Sequence, residues 1–167
     1  MRISDEKLRT DRMVFYSRDV EQMDGELDSF LELSGARCAI LIDQEGHLVT
    51  RRGEAAASCM DSLSALTAGS FAATRQMAQL LGEDEFSTLS HQGARQAIQV
   101  SLVGERTLLA VVWDERTNLG LVRFYAQEST RRLAEIFVEI SSREPEEGEG
   151  LSGDYSSQAS AALDDLF

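Results

Sequence analysis

The sequence is poor in the residues from which catalytic and metal sites are usually built. Its 167 residues include two histidines, two cysteines, one proline and a single lysine, Lys7. His47 and His91 stand at no spacing, to each other or to Cys38 and Cys59, that a tetrahedral zinc site requires. No Gly-x-x-x-x-Gly-Lys-Ser/Thr phosphate loop is present, and no serine lies in a Gly-x-Ser-x-Gly elbow. The adjacent acids Glu146-Glu147 and Asp164-Asp165 fall in stretches that cannot hold catalytic geometry. Neither a catalytic residue, a metal site nor a cofactor is expected. Two cysteines cannot form a disulfide framework, and Cys38, inside an apolar run, reads as a reduced core residue. No apolar run approaches the ~20 residues of a membrane span. The opening Met1-Arg2-Ile3-Ser4-Asp5-Glu6-Lys7 lacks the apolar stretch of a signal peptide. The expected location is the cytoplasm.

Basic charge is also scarce: 16 Lys and Arg stand against 29 Asp and Glu, a net charge of −13. Phosphate-backbone binding needs clustered cations, and the arginines here are scattered, so nucleic acid is excluded as a partner. An anionic lipid surface would repel the chain as well. The acidity keeps the protein soluble and can steer it toward a basic patch on a protein partner.

The most informative absence is local. From Ser62 to Gly82 the sequence reads as a helix, yet Arg75 is its only charged residue. A chain that is 27% charged would place about five or six charges in such a window if one side faced water. At helical spacing Leu63, Leu66, Ser70, Ala73, Met77, Leu80 and Leu81 form one stripe, the expected core face. Ala65, Ala68, Gly69, Ala72 and Gln76 form a second stripe, whose small side chains let a backbone or a flat surface approach closely. Such a helix is expected to be covered on two sides, by its own sheet and by another protein.

The remaining elements frame this helix. Residues Met1 to Arg12 carry seven charges and read as a loose arm, and a domain is expected over residues 13–142. Val20, Met23, Leu27, Phe30 and Leu31 recur at three- and four-residue steps, predicting an amphipathic helix from about Met13 to Leu33, ended at Ser34-Gly35. The continuous apolar run Cys38–Ile42 predicts a strand covered on both faces, followed by a turn and a more polar return strand over His47–Arg51. An exposed strand is predicted over Phe86–Gln92. A half-buried strand follows at Ile98–Leu102, and a buried one at Leu108–Trp113. Thr117 or Asn118 caps a last helix in which Leu119, Val122, Ala126, Leu133, Ile136, Phe137 and Ile140 form the apolar stripe. The order α-β-β-α-β-β-β-α describes an α+β fold, a mostly antiparallel sheet with helices on it, and not a doubly wound nucleotide-binding sheet.

At Arg143 the composition changes: Arg-Glu-Pro-Glu-Glu-Gly-Glu-Gly carries the one proline and four glutamates, an acidic linker over residues 143–157. Over residues 158–167, Ala159, Ala162, Leu163, Leu166 and Phe167 again take helical spacing. This stripe is marginal as a helix alone. It reads either as a segment that folds into a partner's groove or as one that docks on its own domain.

The Leu66-Thr67-Ala68-Gly69-Ser70-Phe71-Ala72-Ala73-Thr74 run, with Leu80-Leu81-Gly82-Glu83, Phe86, His91-Gln92-Gly93 and Asn118-Leu119-Gly120, resembles the bacterial Roadblock-domain proteins. The resemblance covers about Tyr16 to Ile140 together with the final Ala-Leu-Asp-Asp-Leu-Phe. It implies a Roadblock/longin-like five-stranded sheet, a homodimer, and activation of a small Ras-like GTPase in polarity and motility control, with clustering at a cell pole. The two copies of the second helix would hold the GTPase through Ala65, Ala68, Gly69, Ala72, Ala73 and Gln76. The family's activators rearrange the GTPase without inserting an arginine, although Arg75 invites the arginine-finger alternative. Leu163, Leu166 and Phe167 would map onto a terminal helix that contacts the GTPase and promotes nucleotide exchange. The other reading is a Roadblock scaffold that dimerises and collects partners without affecting hydrolysis.

Overall fold

The computed structural model describes residues 15–54 and 59–143. The expected arm over residues 1–12 and the segment over 158–167 lie outside the described residues, and of the linker only Arg143 is among them. The elements run α1 (Ser17–Ser34), β1 (Cys38–Asp43), β2 (Leu48–Gly53), α2 (Met60–Leu81), β3 (Thr88–Gln92), β4 (Gln96–Val103), β5 (Thr107–Asp114) and α3 (Leu119–Ser142). The five strands form one sheet in the order β2-β1-β5-β4-β3, with every neighbouring pair antiparallel. This is the α+β, Roadblock/longin-type order that the sequence predicts.

β1 and β5 lie at the centre because they are the two runs apolar on both faces, and the cross-strand pairs Ile40–Ala110 and Leu41–Leu109 put them in register. Alternation then splits their side chains between two layers. Ala39, Leu41, Leu109, Val111 and Trp113 face α1 and α3, where Met23, Leu27, Phe30, Val122, Ala126, Leu133 and Phe137 bury against them. Cys38, Ile40, Ile42, Leu108 and Ala110 face the other way, toward Met60, Ala68 and Phe71 of α2.

The caps show why α1 and α3 begin and end where they do. α1 starts at Ser17, later than the apolar periodicity suggests. Tyr16 is extended there, and its N–H donates to the Asp19 carboxylate at 2.9 Å. Asp19 is fully buried and also takes the Arg143 guanidinium, which ties the end of α3 to the start of α1. Gly35 closes α1 in the left-handed conformation (φ +71°), its N–H bonding Leu31 O. A Cβ at this position would lie 3.3 Å from the Thr117 side chain. Of the two candidate caps of α3, Asn118 does the capping, accepting from Leu121 N–H at 3.0 Å, while the Thr117 hydroxyl donates to Ser34 O.

On the rim, Arg52 of β2 makes two 2.8 Å contacts with Asp28 of α1, holding that carboxyl below its ordinary pKa through the hydrogen bond and the charge of the guanidinium. This contribution is present at neutral pH and is lost as pH falls through the lowered value. The pair is exposed, so it fixes orientation more than it stabilises.

Truncating Phe30 to Ala removes a ring buried between α1 and the sheet and is expected to cost about 3–5 kcal/mol, against about 1 kcal/mol for Asn118→Ala at the cap. Urea denaturation of the two variants checks this ranking, which inverts if the α1–α3 layer is loosely packed.

Candidate functional site

α2 carries only two charged residues, Asp61 and Arg75, and the structure turns it differently from the sequence expectation. The expected core stripe is mostly on the outside: Leu66 is 69% exposed, Met77 56%, Leu80 88% and Leu81 72%, with Ser70 and Ala73 exposed beside them. Of that stripe only Leu63 is partly buried, packing with the α2-facing cluster. The residues that face the sheet are Met60, Ser64, Thr67, Ala68, Phe71 and Ala78. The reason is steric. Small residues at 64, 68 and 78 let the helix axis come close to β1, and the single large ring of Phe71 fills the space between. Larger leucines on that side would hold the helix off its sheet.

The candidate docking residues are therefore divided by the helix. Ala65, Gly69, Ala72, Ala73 and Gln76 are exposed and share the outer surface with Leu66, Met77 and Leu80. Ala68 is turned toward the sheet, 6% exposed within the core cluster, so its methyl is not offered to a visitor in this protomer. Leu163, Leu166 and Phe167 lie outside the described residues. Arg75 is half-buried, and its guanidinium reaches Glu85 in the segment after the helix at 3.2 Å. That contact brings a cation near the C-terminal end of α2, where Glu83, Asp84 and Glu85 crowd carboxylates.

Two further features border the outer face. At one end the β1–β2 turn abuts the helix so closely that a Cβ on Gly46 would lie 3.0 Å from Ala65 Cα. In this turn Asp43 Oδ1 accepts from Glu45 N–H at 3.0 Å and His47 N–H at 2.8 Å, and His47 Nδ1 lies 3.1 Å from Asp43 Oδ2. Asp43, Glu45 and His47 are the one group of metal-ligand types gathered together among the described residues. Their groups are largely used in shaping the turn. Across the sheet, β3 pairs only with β4, which leaves its outer edge open, while Leu89, Ile98 and Leu102 are only partly covered on the α2 side.

A second, smaller apolar exposure lies on the opposite layer, where a groove of about 230 Å³ between α1 and α3 is lined by Leu33, Phe124 and Tyr125 around Glu26, Ser129 and Arg132. The leucine and methionine positions on the outer face of α2 were missed from sequence, because an apolar stripe has the same period whether its own sheet or a second molecule covers it.

An antiparallel five-stranded sheet with one helix on one face and two on the other is the Roadblock/longin architecture. Residues 23–112 match the Roadblock/LC7 domain, and the chain belongs to that family. Among solved structures it is similar to the gliding protein MglB of Thermus thermophilus. The two share 35% identity at a TM-score of 0.72, over 76% of this chain and 96% of that one. It is also similar to Myxococcus xanthus MglB, at 32% identity and a TM-score of 0.72 over 79% of this chain and 98% of that one. An MglB described in a tetrameric arrangement matches at 34% identity and a TM-score of 0.73, over 77% of this chain and 96% of that one. A comparison with curated protein sequences finds no match. Among the described residues no helix is long and apolar enough to cross a membrane.

The orientation of α2 is checked by a pair of variants. Phe71→Ala is expected to cost about 3–5 kcal/mol of stability, whereas Gln79→Ala, at an exposed position of the same helix, stays within about 0.5 kcal/mol of the parent. Unfolding curves showing the reverse ranking would mean that the helix is rotated.

Proposed function

We propose that this chain is a non-catalytic regulator that, as a homodimer, accelerates GTP hydrolysis by a small Ras-like GTPase of the MglA type in cell polarity and motility control. The observation that carries the reading is the outer face of α2, on a helix where Arg75 is the only charge after Asp61 although the protein is otherwise strongly acidic. Family membership and similarity to MglB over three quarters of the chain support it.

Two parts of this surface suit two tasks. The open edge of β3, with the partly covered Leu89, Ile98 and Leu102 beside it, suits a second copy, whose β3 extends the sheet and whose α2 covers the exposed leucines. Ala65, Gly69, Ala72, Ala73 and Gln76 form a shallow floor on which a GTPase can settle without displacing bulky side chains. Ala68 acts one layer down, by letting the helix sit close to its sheet. Hydrolysis uses the residues of the GTPase, and this protein acts by holding them in place. Leu163, Leu166 and Phe167 provide a second contact that promotes nucleotide exchange. The protein works from the cytoplasm, gathered at a cell pole.

An arginine at Ala72 would lift the GTPase off the floor. Ala72→Arg is expected to leave a folded dimer while abolishing GTPase binding and the stimulation of turnover, both read in a GTP hydrolysis assay with the cognate GTPase. Unchanged stimulation by this variant overturns the proposed face. If the unaltered protein binds the GTPase without changing turnover, the scaffold reading stands in its place.

Arg75 is engaged with Glu85 and half-buried, which favours a bracing role over entry into another protein's active site. Arg75→Ala is accordingly expected to retain most of the stimulation. An arginine finger would instead lose roughly 10³-fold or more in the stimulated rate.

A further inference from the structure

We propose that Asp43, Glu45 and His47, in the turn between β1 and β2, form a binding site for one zinc ion or a similar transition-metal dication. This goes beyond the regulatory reading and does not depend on it.

One donor atom from each of these three side chains lies within 4.8 Å of the other two. His47 Nδ1 is 3.1 Å from Asp43 Oδ2 and 3.7 Å from Glu45 Oε2. Zinc takes nitrogen and carboxylate oxygen at about 2.0–2.2 Å, which sets neighbouring donors of a tetrahedral shell about 3.3–3.6 Å apart. The two separations measured from the imidazole bracket that range, so an ion is seated by small side-chain adjustments. Glu45, 80% exposed, has the freedom to close the third edge. The nitrogen decides the class of ion. Carboxylates alone suit calcium or magnesium, whereas an imidazole beside them suits zinc, nickel or copper. Histidine and cysteine spacing does not reveal the site, because two of its three donors are carboxylates at alternate positions before the histidine.

The backbone holds these donors together. Asp43 Oδ1 accepts from Glu45 N–H and His47 N–H, which leaves Oδ2 turned to the His47 ring. Asp43 N–H donates to His47 O at 2.9 Å, and Gly46 N–H to Asp43 O at 3.1 Å. Gln44 ties the turn to the β4–β5 turn, its N–H donating to Arg106 O and its Nε2 to Glu105 O. On the other side Gly46 rests against Ala65 of α2. An ion therefore meets a turn that is already shaped, and the arrangement of the backbone does not have to be created on binding. His47 Nδ1 gives its lone pair to the ion, and the ring then carries its one proton on Nε2. The ion replaces the contact between the His47 ring and Asp43 Oδ2, while the backbone bonds to Oδ1 stay in place. Water completes the fourth position. The bound ion lies beside the start of the outer face of α2 and offsets two negative charges there.

The full chain, freed of metal by a chelator and moved into chelator-free buffer, is titrated with zinc chloride and followed by calorimetry and by backbone amide NMR. One ion is expected to enter the turn, shifting the amide signals of residues 43–47 and of Ala65. Loss of a ligand is expected to cost at least the roughly 10–100-fold in affinity that loss of an outer hydrogen-bond partner costs a metal site. His47→Ala and Glu45→Gln should each weaken zinc binding at the turn by that factor. The His47 and Glu45 side chains are exposed, so both variants are expected to unfold like the parent in the absence of zinc. Zinc taken up elsewhere on the chain, leaving the turn signals unmoved, overturns the proposal, as does undiminished binding at the turn by His47→Ala. An equal response of the same signals to magnesium chloride overturns the assignment to a transition metal.

Discussion

The structure depends on a mismatch in width between its sheet and its helices. Five strands at about 4.8 Å spacing make a sheet about 20 Å across, while a helix with its side chains is only about 10–12 Å wide. α1 and α3 lie side by side and cover most of one face, α1 against β2 and β1 and α3 against β4. α2 lies alone on the other and cannot. Its own underside is satisfied by β1 and its neighbours, which leaves apolar surface on β3 and β4 and along the flank of the helix. A chain that meant to remain alone would place charge there. This one places leucine, methionine, alanine and glycine, and keeps its many carboxylates elsewhere.

That allocation explains the small residues of α2. Close approach to the sheet uses Ser64, Ala68 and Ala78, and a low outer surface uses Ala65, Gly69, Ala72 and Ala73. A helix with small residues on both flanks has little side-chain bulk of its own to define its position. Phe71 supplies the anchoring volume inward, and the Arg75–Glu85 pair braces the far end. The outer leucines make no comparable contribution to the protomer. Burying each fully is worth roughly 1.5–3 kcal/mol, so they are a reserve available to association.

Much of the fold could be read in the sequence because local signals and tertiary demands agree there. β1 and β5 are apolar on consecutive residues, which only a doubly covered strand tolerates, and they occupy the centre of the sheet. Asn118 announces the cap of α3, and Ser34-Gly35 the end of α1. The phase of α2 could not be read in the same way. Leu63, Leu66, Met77, Leu80 and Leu81 outweigh Met60 and Phe71 in any count of apolar residues, and periodicity carries no label saying which molecule provides the cover. The clue was present in another form. Where both faces of a helix lack charge, the face with the smaller side chains is the one able to lie flat on a sheet, and the bulkier one is left for a partner. Ala68 does not share the outer face with Ala72, because positions 68 and 72 stand four apart and diverge by about 40° around a helix of 3.6 residues per turn.

Electrostatics complements this apolar surface without entering it. Arg52 binds Asp28 and Asp24, and Arg116 and Arg37 gather around Asp114 and Glu54, so these cations are spent in tying the chain to itself at the sheet's other edge and at its ends. The uncompensated charge is negative. On the proposed reading, a partner that approaches α2 would be guided by a field favouring basic surfaces and held by contacts that involve little charge. Field and contact thereby separate the two requirements of a regulator. The long-range part raises the encounter rate and weakens with salt. On the proposed reading the short-range part depends on shape, which a single bulky side chain at Ala72 would spoil.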